Sequence, residues 1–180
     1  MIIPVPGPAL DMTEDVLHDL IVALTGLPGD RVRARWQPRP AKTPGPDTSW
    51  CALGVTARTS PGSQLRADAD DMRVETHEVL DVLVSFYGPQ ASALALAVRE
   101  GLRVPLNREG LRAANMAFIG AGQMVNAPEL AATAWLNRVD LPLTFRRGPA
   151  HRVRGARPEG AVDIPTIDSV PVCGLCAADR

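Results

Sequence analysis

Several groups of residues have the types and spacing that chemistry requires. Phe118-Ile119-Gly120-Ala121-Gly122-Gln123-Met124 looks like the glycine fingerprint of dinucleotide-binding proteins. In that fingerprint the glycines let backbone approach a pyrophosphate at a helix N-terminus. Here Val125 holds the third glycine position, Pro128 interrupts the expected helix, and too little chain follows for a further βαβαβ half. A flexible or bulged strand accounts for the segment better. Cys173 and Cys176 form a C-x-x-C pair near the end of the sequence, but a structural zinc needs four ligands. Cys51, His18, His77 and His151 supply no second close pair, so three free thiols are expected. His77 lies between Glu75 and Glu78 without an evident nucleophile. Asp68, Asp70 and Asp71 lack the glycine and distal glutamate of a calcium loop and read as a solvated acidic loop. Arg31, Arg33 and Arg35 alternate along the chain and, without aromatic partners, read as the charged outer face of a strand. No G-x-S-x-G or paired-histidine metal motif is present in the sequence. The residues thus point to no catalytic group, metal or cofactor, and favour binding, scaffolding or assembly.

The elements that must position these residues follow from hydrophobic periodicity. Leu17, Leu20, Ile21 and Leu24 share one helical face, with Asp11 or Thr13 as the expected cap and Gly26 and Pro28 as the stop. Arg31 to Gln37 alternates as a strand with Val32, Ala34 and Trp36 inward, and Trp50 to Arg58 reads as a second strand with a bulge at Gly54. Thr59 to Asp71 reads as a polar loop. From Val74 to Phe86 the even positions are apolar and the odd ones mostly polar, the pattern of a sheet covered on one side. Gly88 and Pro89 break that strand, with Pro89 suited to a first helical turn. Ala91, Leu94, Ala95, Val98 and Leu102 then form a helical stripe, and Asn107 is the expected cap of a short third helix. Met116 to Asn126 is extended. Trp135, Val139, Leu141, Leu143 and Phe145 alternate inward, and Pro142 among them suggests an edge strand or a bulge. A further strand is expected near Ala161 to Ile167.

The order of elements argues for an α+β fold: a mixed, mainly antiparallel sheet with two to three helices packed on one face. The expected organisation is one domain over residues 1–150, beginning with a Pro-rich arm, followed by an extended C-terminal arm over 151–180. The 180 residues are 46% hydrophobic and 22% charged, enough for one core, and the net charge of −1 gives no general attraction to nucleic acid or acidic membrane. Aromatics at 4% argue against a base- or sugar-stacking surface. No apolar run reaches the roughly 18 residues of a membrane span and no secretory signal opens the sequence, so a soluble cytoplasmic product is expected.

The segment from His77 to Arg147 resembles the tail terminator (neck) proteins of tailed bacteriophages. The resemblance rests on His77-Glu78, Ser85-Phe86-Tyr87-Gly88-Pro89 with Ala91, Arg99-Glu100-Gly101-Leu102, and Asn107-Arg108-Glu109 with Leu111. It continues through Met116-Ala117-Phe118, Pro128-Glu129-Leu130, and Trp135 with Arg138 and Asp140. It implies a sheet with two or more helices against it, in a structural, non-enzymatic protein that assembles as a hexameric ring on the finished tail tube. The ring would end tube polymerisation and join tail to head. Partners would be other copies of the chain, the tail tube protein and a head-connector or head-closure protein. There would be no membrane partner, and DNA would only pass through the ring. The location would be the virion neck, in phage or prophage, and the host cytoplasm during assembly. Acidic Asp68, Asp70 and Asp71 opposite basic Arg31, Arg33 and Arg35 would set electrostatic register between neighbours or with the tube. The alternatives are a head-closure or tail completion protein, or a small nucleotide-binding enzyme built on Gly120 and Gly122.

Overall fold

A computed structural model describes residues 12–37, 42–68, 71–131, 134–148 and 152–155, with backbone alone at 63–68, 71–75, 131, 134 and 152–155. The leucine stripe forms helix α1 (Thr13–Thr25), and Leu17, Leu20 and Ile21 are buried as their spacing requires. The N-cap is Met12, Thr13 is already helical, and Asp11 lies outside the described residues. Thr13 instead accepts a 2.7 Å hydrogen bond from Arg147.

A single 3₁₀ turn at Gly29–Arg31 leads into β1 (Val32–Ala34), shorter than the expected strand. Val32 is buried, but the chain bends after Ala34 and leaves Trp36 61% exposed, so Trp36 does not join Val32 inside. The largest departure follows. β2 (Trp50–Asp68) and β3 (Asp71–Tyr87) form one long antiparallel hairpin, so the polar stretch after Thr59 is strand rather than loop. Bulges fall at Val55/Ala57 and Thr59/Gly62, and not at Gly54. Gly54 serves another purpose: a Cβ there would sit 2.7 Å from the Trp36 ring, which lies against its backbone.

Gly88 follows β3 with φ at +93°, and a Cβ would come 2.6 Å from the Thr48 carbonyl, so this turn requires glycine. Its own carbonyl accepts from Ala91 N–H as α2 (Ala91–Gly101) begins, with Gln90 as N-cap; Pro89 lies before the helix. Ala91, Leu94, Ala95, Val98 and Leu102 are buried as the stripe demands. Each of the larger three contributes about 1.5–3 kcal/mol of burial. After a 3₁₀ turn at Pro105–Arg108 comes α3 (Glu109–Ala113), capped by Arg108 and not Asn107. The Asn107 amide donates instead to the Gly101 carbonyl at 2.9 Å.

The remaining strands are β4 (Met116–Ala121), β5 (Val125–Asn126), β6 (Glu129–Ala131), β7 (Ala134–Leu136), β8 (Arg138–Arg147) and β9 (Arg152–Gly155). The main sheet runs β1-β2-β3-β8-β4, with β5 beyond β4 along β8 and β9 beyond β8 along β3. Among the described residues only the β1–β2 pair is parallel. β6 and β7 form a separate small hairpin. The expectation of an α+β fold with a mixed, mainly antiparallel sheet therefore holds.

β8 is an interior strand, so Pro142 does not mark an edge. Its carbonyl accepts from Gly122 N–H, which places the missing N–H on the same side, at the gap between β4 and β5. The β3–β8 ladder therefore loses no bond at Pro142. One core joins the helices to Cys51, Leu53, Leu80, Val82, Val84, Phe86, Val139, Leu141, Leu143 and Phe145, so the helices cover one sheet face. The strand expected near residues 161–167 lies outside the described residues.

Candidate interaction surface

The opposite face of the sheet carries the residues that the core excludes. Strand alternation turns Trp50 and Ala52 of β2, Ser85 and Tyr87 of β3, and Arg138 and Asp140 of β8 away from the helices. The register sets them side by side: Trp50 opposite Tyr87 opposite Arg138, and Ala52 opposite Ser85 opposite Asp140. Trp50 and Tyr87 stack face to face with centroids 4.1 Å apart and planes within 6°. Arg33 lies over Trp50 and Arg138 over Tyr87, each 5.7 Å from the ring centre, so the layer reads arginine, indole, phenol, arginine. The Arg row thus has aromatic partners after all, against the sequence expectation. Trp50, Ala52, Tyr87 and Leu136 form a second apolar cluster on this face.

A polar chain runs beside the stack. The Arg35 guanidinium donates to Ser85 Oγ, which donates to Asp140 Oδ1. Arg138 grips the same carboxylate through two bonds of 2.9 and 2.8 Å and reaches Glu129 at 3.4 Å. Burial pushes the Asp140 carboxyl up, but the bonds from Arg138 and Ser85 and the charges of Arg138 and Arg35 outweigh it. The group is held below the usual carboxylate range. The bond to Asp140 raises Arg138 further. Ser85, expected on the solvated side of its strand, is fully buried under these groups.

Arg31, Arg33 and Arg35 do not form one exposed row. Arg31 is exposed, whereas Arg33 donates to the Asp30 and Lys42 carbonyls at 3.0 and 2.9 Å. Asp68 pairs with Asp71 at the hairpin end, and Asp70 lies outside the described residues. From Ala52, which pairs with Arg33, to Asp68 is on the order of 50 Å of strand, so the two charge groups sit at opposite ends of the hairpin.

Of the other singled-out residues, Phe86 belongs to the core, and Gly88 and Pro89 to the turn before α2. Glu78 takes a 2.6 Å bond from Arg147, with Arg58 at 4.0 Å. His77 is half-buried opposite Gly62, and its Nδ1 has no partner among the described residues. Asn107 and Arg108 sit near α3, and Pro128 is exposed just before β6. Trp135, expected inside, is 70% exposed and pairs across the β6–β7 hairpin with exposed Leu130. The structure thus brings Arg33, Arg35, Ser85, Tyr87, Glu129, Arg138 and Asp140 together and leaves the rest dispersed. Trp50 and Leu130 were missed as surface residues, because only their non-local pairing gives them significance.

Gly120 sits just past a bulge in β4, as expected of a bulged strand, and a side chain at Gly122 would strike the Pro142 ring at 2.8 Å. Neither glycine opens a helix. Burial pushes the Cys51 thiol up to about 12. Cys173 and Cys176 lie outside the described residues. Among the described residues, no group of three or more His, Cys, Asp or Glu could hold a metal, and no helix is long and apolar enough to cross a membrane.

A family model described as phage neck terminator protein matches residues 12–176. The match extends past the segment that carried the resemblance, into the C-terminal arm. Among curated proteins none matches the chain.

Proposed function

The chain belongs to the family of phage neck terminator proteins, and from that premise we propose that it caps the tail tube as a ring, ends polymerisation and joins tail to head. The observation that carries this reading is the β2–β3 hairpin, which continues beyond the helix-covered core as an arm. Thr56 to Gly62 of that arm are exposed. A ring is built from a heterologous contact between two different surfaces of each subunit. The arm supplies one surface. The other end of the molecule, with exposed Trp36, Leu130 and Trp135, supplies a second.

Asp68 and Asp71, paired at the arm's end, lie on the order of 50 Å of strand from Arg33 of their own subunit. Their expected role in register is therefore a contact with a neighbour, where Arg31 is the most accessible of the three arginines. Charge reversal at Asp70 and Asp71 should weaken assembly, and unchanged assembly would remove this contact from the reading.

Light scattering on the purified protein, alone and with tail tubes, tests the ring. A closed oligomer of defined mass, found at tube ends by electron microscopy, is the expected result; a hexamer is the expected size. A monomer that ignores tubes yet binds head-connector protein would favour the head-closure alternative.

A further inference from the structure

A cavity of about 400 Å³ opens on the helix-free face, with Arg33, Arg35, Trp36, Trp50 and Tyr87 in its lining. Two donors of its lining residues, Arg35 Nε and Trp50 Nε1, are buried and have no partner among the described residues. A buried N–H without an acceptor is unfavourable, so oxygens supplied by a ligand would be stabilising here. Neither Arg33 nor Arg35 meets a carboxylate at ion-pair distance among the described residues, and the nearby Arg138 is already matched by Asp140 and Glu129. The cavity is therefore cationic, aromatic and rich in donors. Such a surface fits an extended, proline-bearing, acidic peptide: rings pack on proline, donors meet backbone carbonyls, and arginines meet carboxylates.

The chain itself contains that peptide. Between Arg157 and Arg180 there is no Lys or Arg, while Glu159, Asp163, Asp168 and Asp179 are acidic and Pro158, Pro165 and Pro171 favour extended backbone. Its N-terminal counterpart, residues 1–11, has prolines but only Asp11 as an acid. The direction of β9 decides which copy the C-terminal peptide can reach. β9 runs antiparallel to β3 and ends with Gly155 opposite Met72, heading toward the hairpin end. The cavity lies at Tyr87, on the order of 50 Å back along the same strand. Fully extended, the chain from Gly155 reaches Asp163 after roughly 26 Å and Asp168 after roughly 43 Å. Asp163 falls well short of the cavity of its own subunit, so the two acids cannot both dock there.

We propose that the cavity receives the segment Asp163–Asp168 of a neighbouring copy, so that each subunit's C-terminal arm docks on the next. This rests on the ring reading, since it needs a neighbour. Pro165 packs against the exposed Trp36 ring, the carboxylates of Asp163 and Asp168 pair with Arg33 and Arg35, and backbone carbonyls meet the two N–H groups that lack a partner among the described residues.

The test uses the full-length protein with Ile164 replaced by photoreactive benzoylphenylalanine, mixed with ¹⁵N-labelled wild type on tail tubes and irradiated. The expected result is a cross-link from the unlabelled segment to ¹⁵N-labelled peptides containing Arg33 to Trp36, Trp50 or Tyr87. Its yield should fall about tenfold when Asp163→Lys and Asp168→Lys are added, the change expected from losing about 1.4 kcal/mol of binding. Cross-links confined to unlabelled chains would mean docking within one subunit and overturn the proposal. So would cross-links elsewhere on the neighbour, or a yield indifferent to the two charge changes. Light scattering on the same samples separates the two readings. Rings without these cross-links overturn the docking alone, whereas failure to assemble on tubes overturns both.

Discussion

Ser85 is fully buried, yet its hydroxyl is the link between Arg35 and the Asp140 carboxylate. Replacing it with alanine removes the acceptor for one buried arginine N–H and a donor to one carboxylate oxygen. Ser85→Ala should therefore cost about 1–3 kcal/mol in urea unfolding. Thr144→Ala, which removes a 3.2 Å bond to Asp81 at the solvent, should stay within about 0.5 kcal/mol. Equal effects would mean that the polar chain on this face adds nothing to the fold. The same chain sets a pH dependence. Burial raises the Asp140 carboxyl, its hydrogen bonds and neighbouring arginines lower it further, and the folded value lies below the unfolded one. Its stabilisation is then fully present above the ordinary carboxylate value, near pH 4, and is lost as pH falls through the folded value. In melts from pH 7 to pH 2, the gap between wild type and Asp140→Asn should narrow only at the acid end. A gap that is constant across that range would contradict the assignment.

At the scale of elements, the turn at Gly88 couples three parts of the fold. Its N–H donates to the Asn137 carbonyl beside β8, its carbonyl starts α2, and its Cα faces the Thr48 carbonyl before β2. Gly88→Ala adds a methyl where φ is +93° and the nearest atom would be 2.6 Å away. The backbone strain and the clash together should cost about 2–4 kcal/mol in thermal or chemical unfolding. A loss below about 1 kcal/mol would show that the turn relaxes without disturbing α2 or β2. The long hairpin obeys different rules from the rest of the sheet. Near the core its inward residues are apolar, but from Thr56 to Gly62 every side chain is exposed and no apolar face is needed. Its order comes from the ladder between β2 and β3, supplemented by β9.

For the whole molecule, the two faces of the sheet have divided labour. One is sealed by the helices, and the other carries the aromatic–arginine layer with exposed Trp36 beside it, while Leu130 and Trp135 are exposed on the β6–β7 hairpin. Exposed tryptophans contribute little to a subunit's own stability, so Trp135→Ala should leave the unfolding midpoint nearly unchanged, within about 0.5 kcal/mol. Buried in an interface, the same side chain is the kind of anchor that dominates binding. The variant should therefore lose tube-end occupancy in electron micrographs by about tenfold or more. Full occupancy would place Trp135 outside the assembly contact.

What the sequence determined by itself is what local periodicity encodes. The stripes Leu17, Leu20, Ile21 and Ala91 to Leu102 need only neighbours three and four residues away to define a buried helical face. The alternations ending at Phe86 and Phe145 likewise define which side of each strand meets the core. The series of short motifs carried the family. Tertiary structure alone decided the rest. Whether Thr59 to Asp68 is loop or strand depends on a partner strand, because a polar segment has no buried face to reveal it. Whether Ser85 is solvated or buried depends on Arg35 and Asp140, 50 and 55 residues away in the chain. Trp36 and Trp135 continued alternating patterns but fall outside them, since a bend after Ala34 and a separate hairpin carry them away from the core. Pairings across the sheet are non-local, and no window of sequence contains both partners.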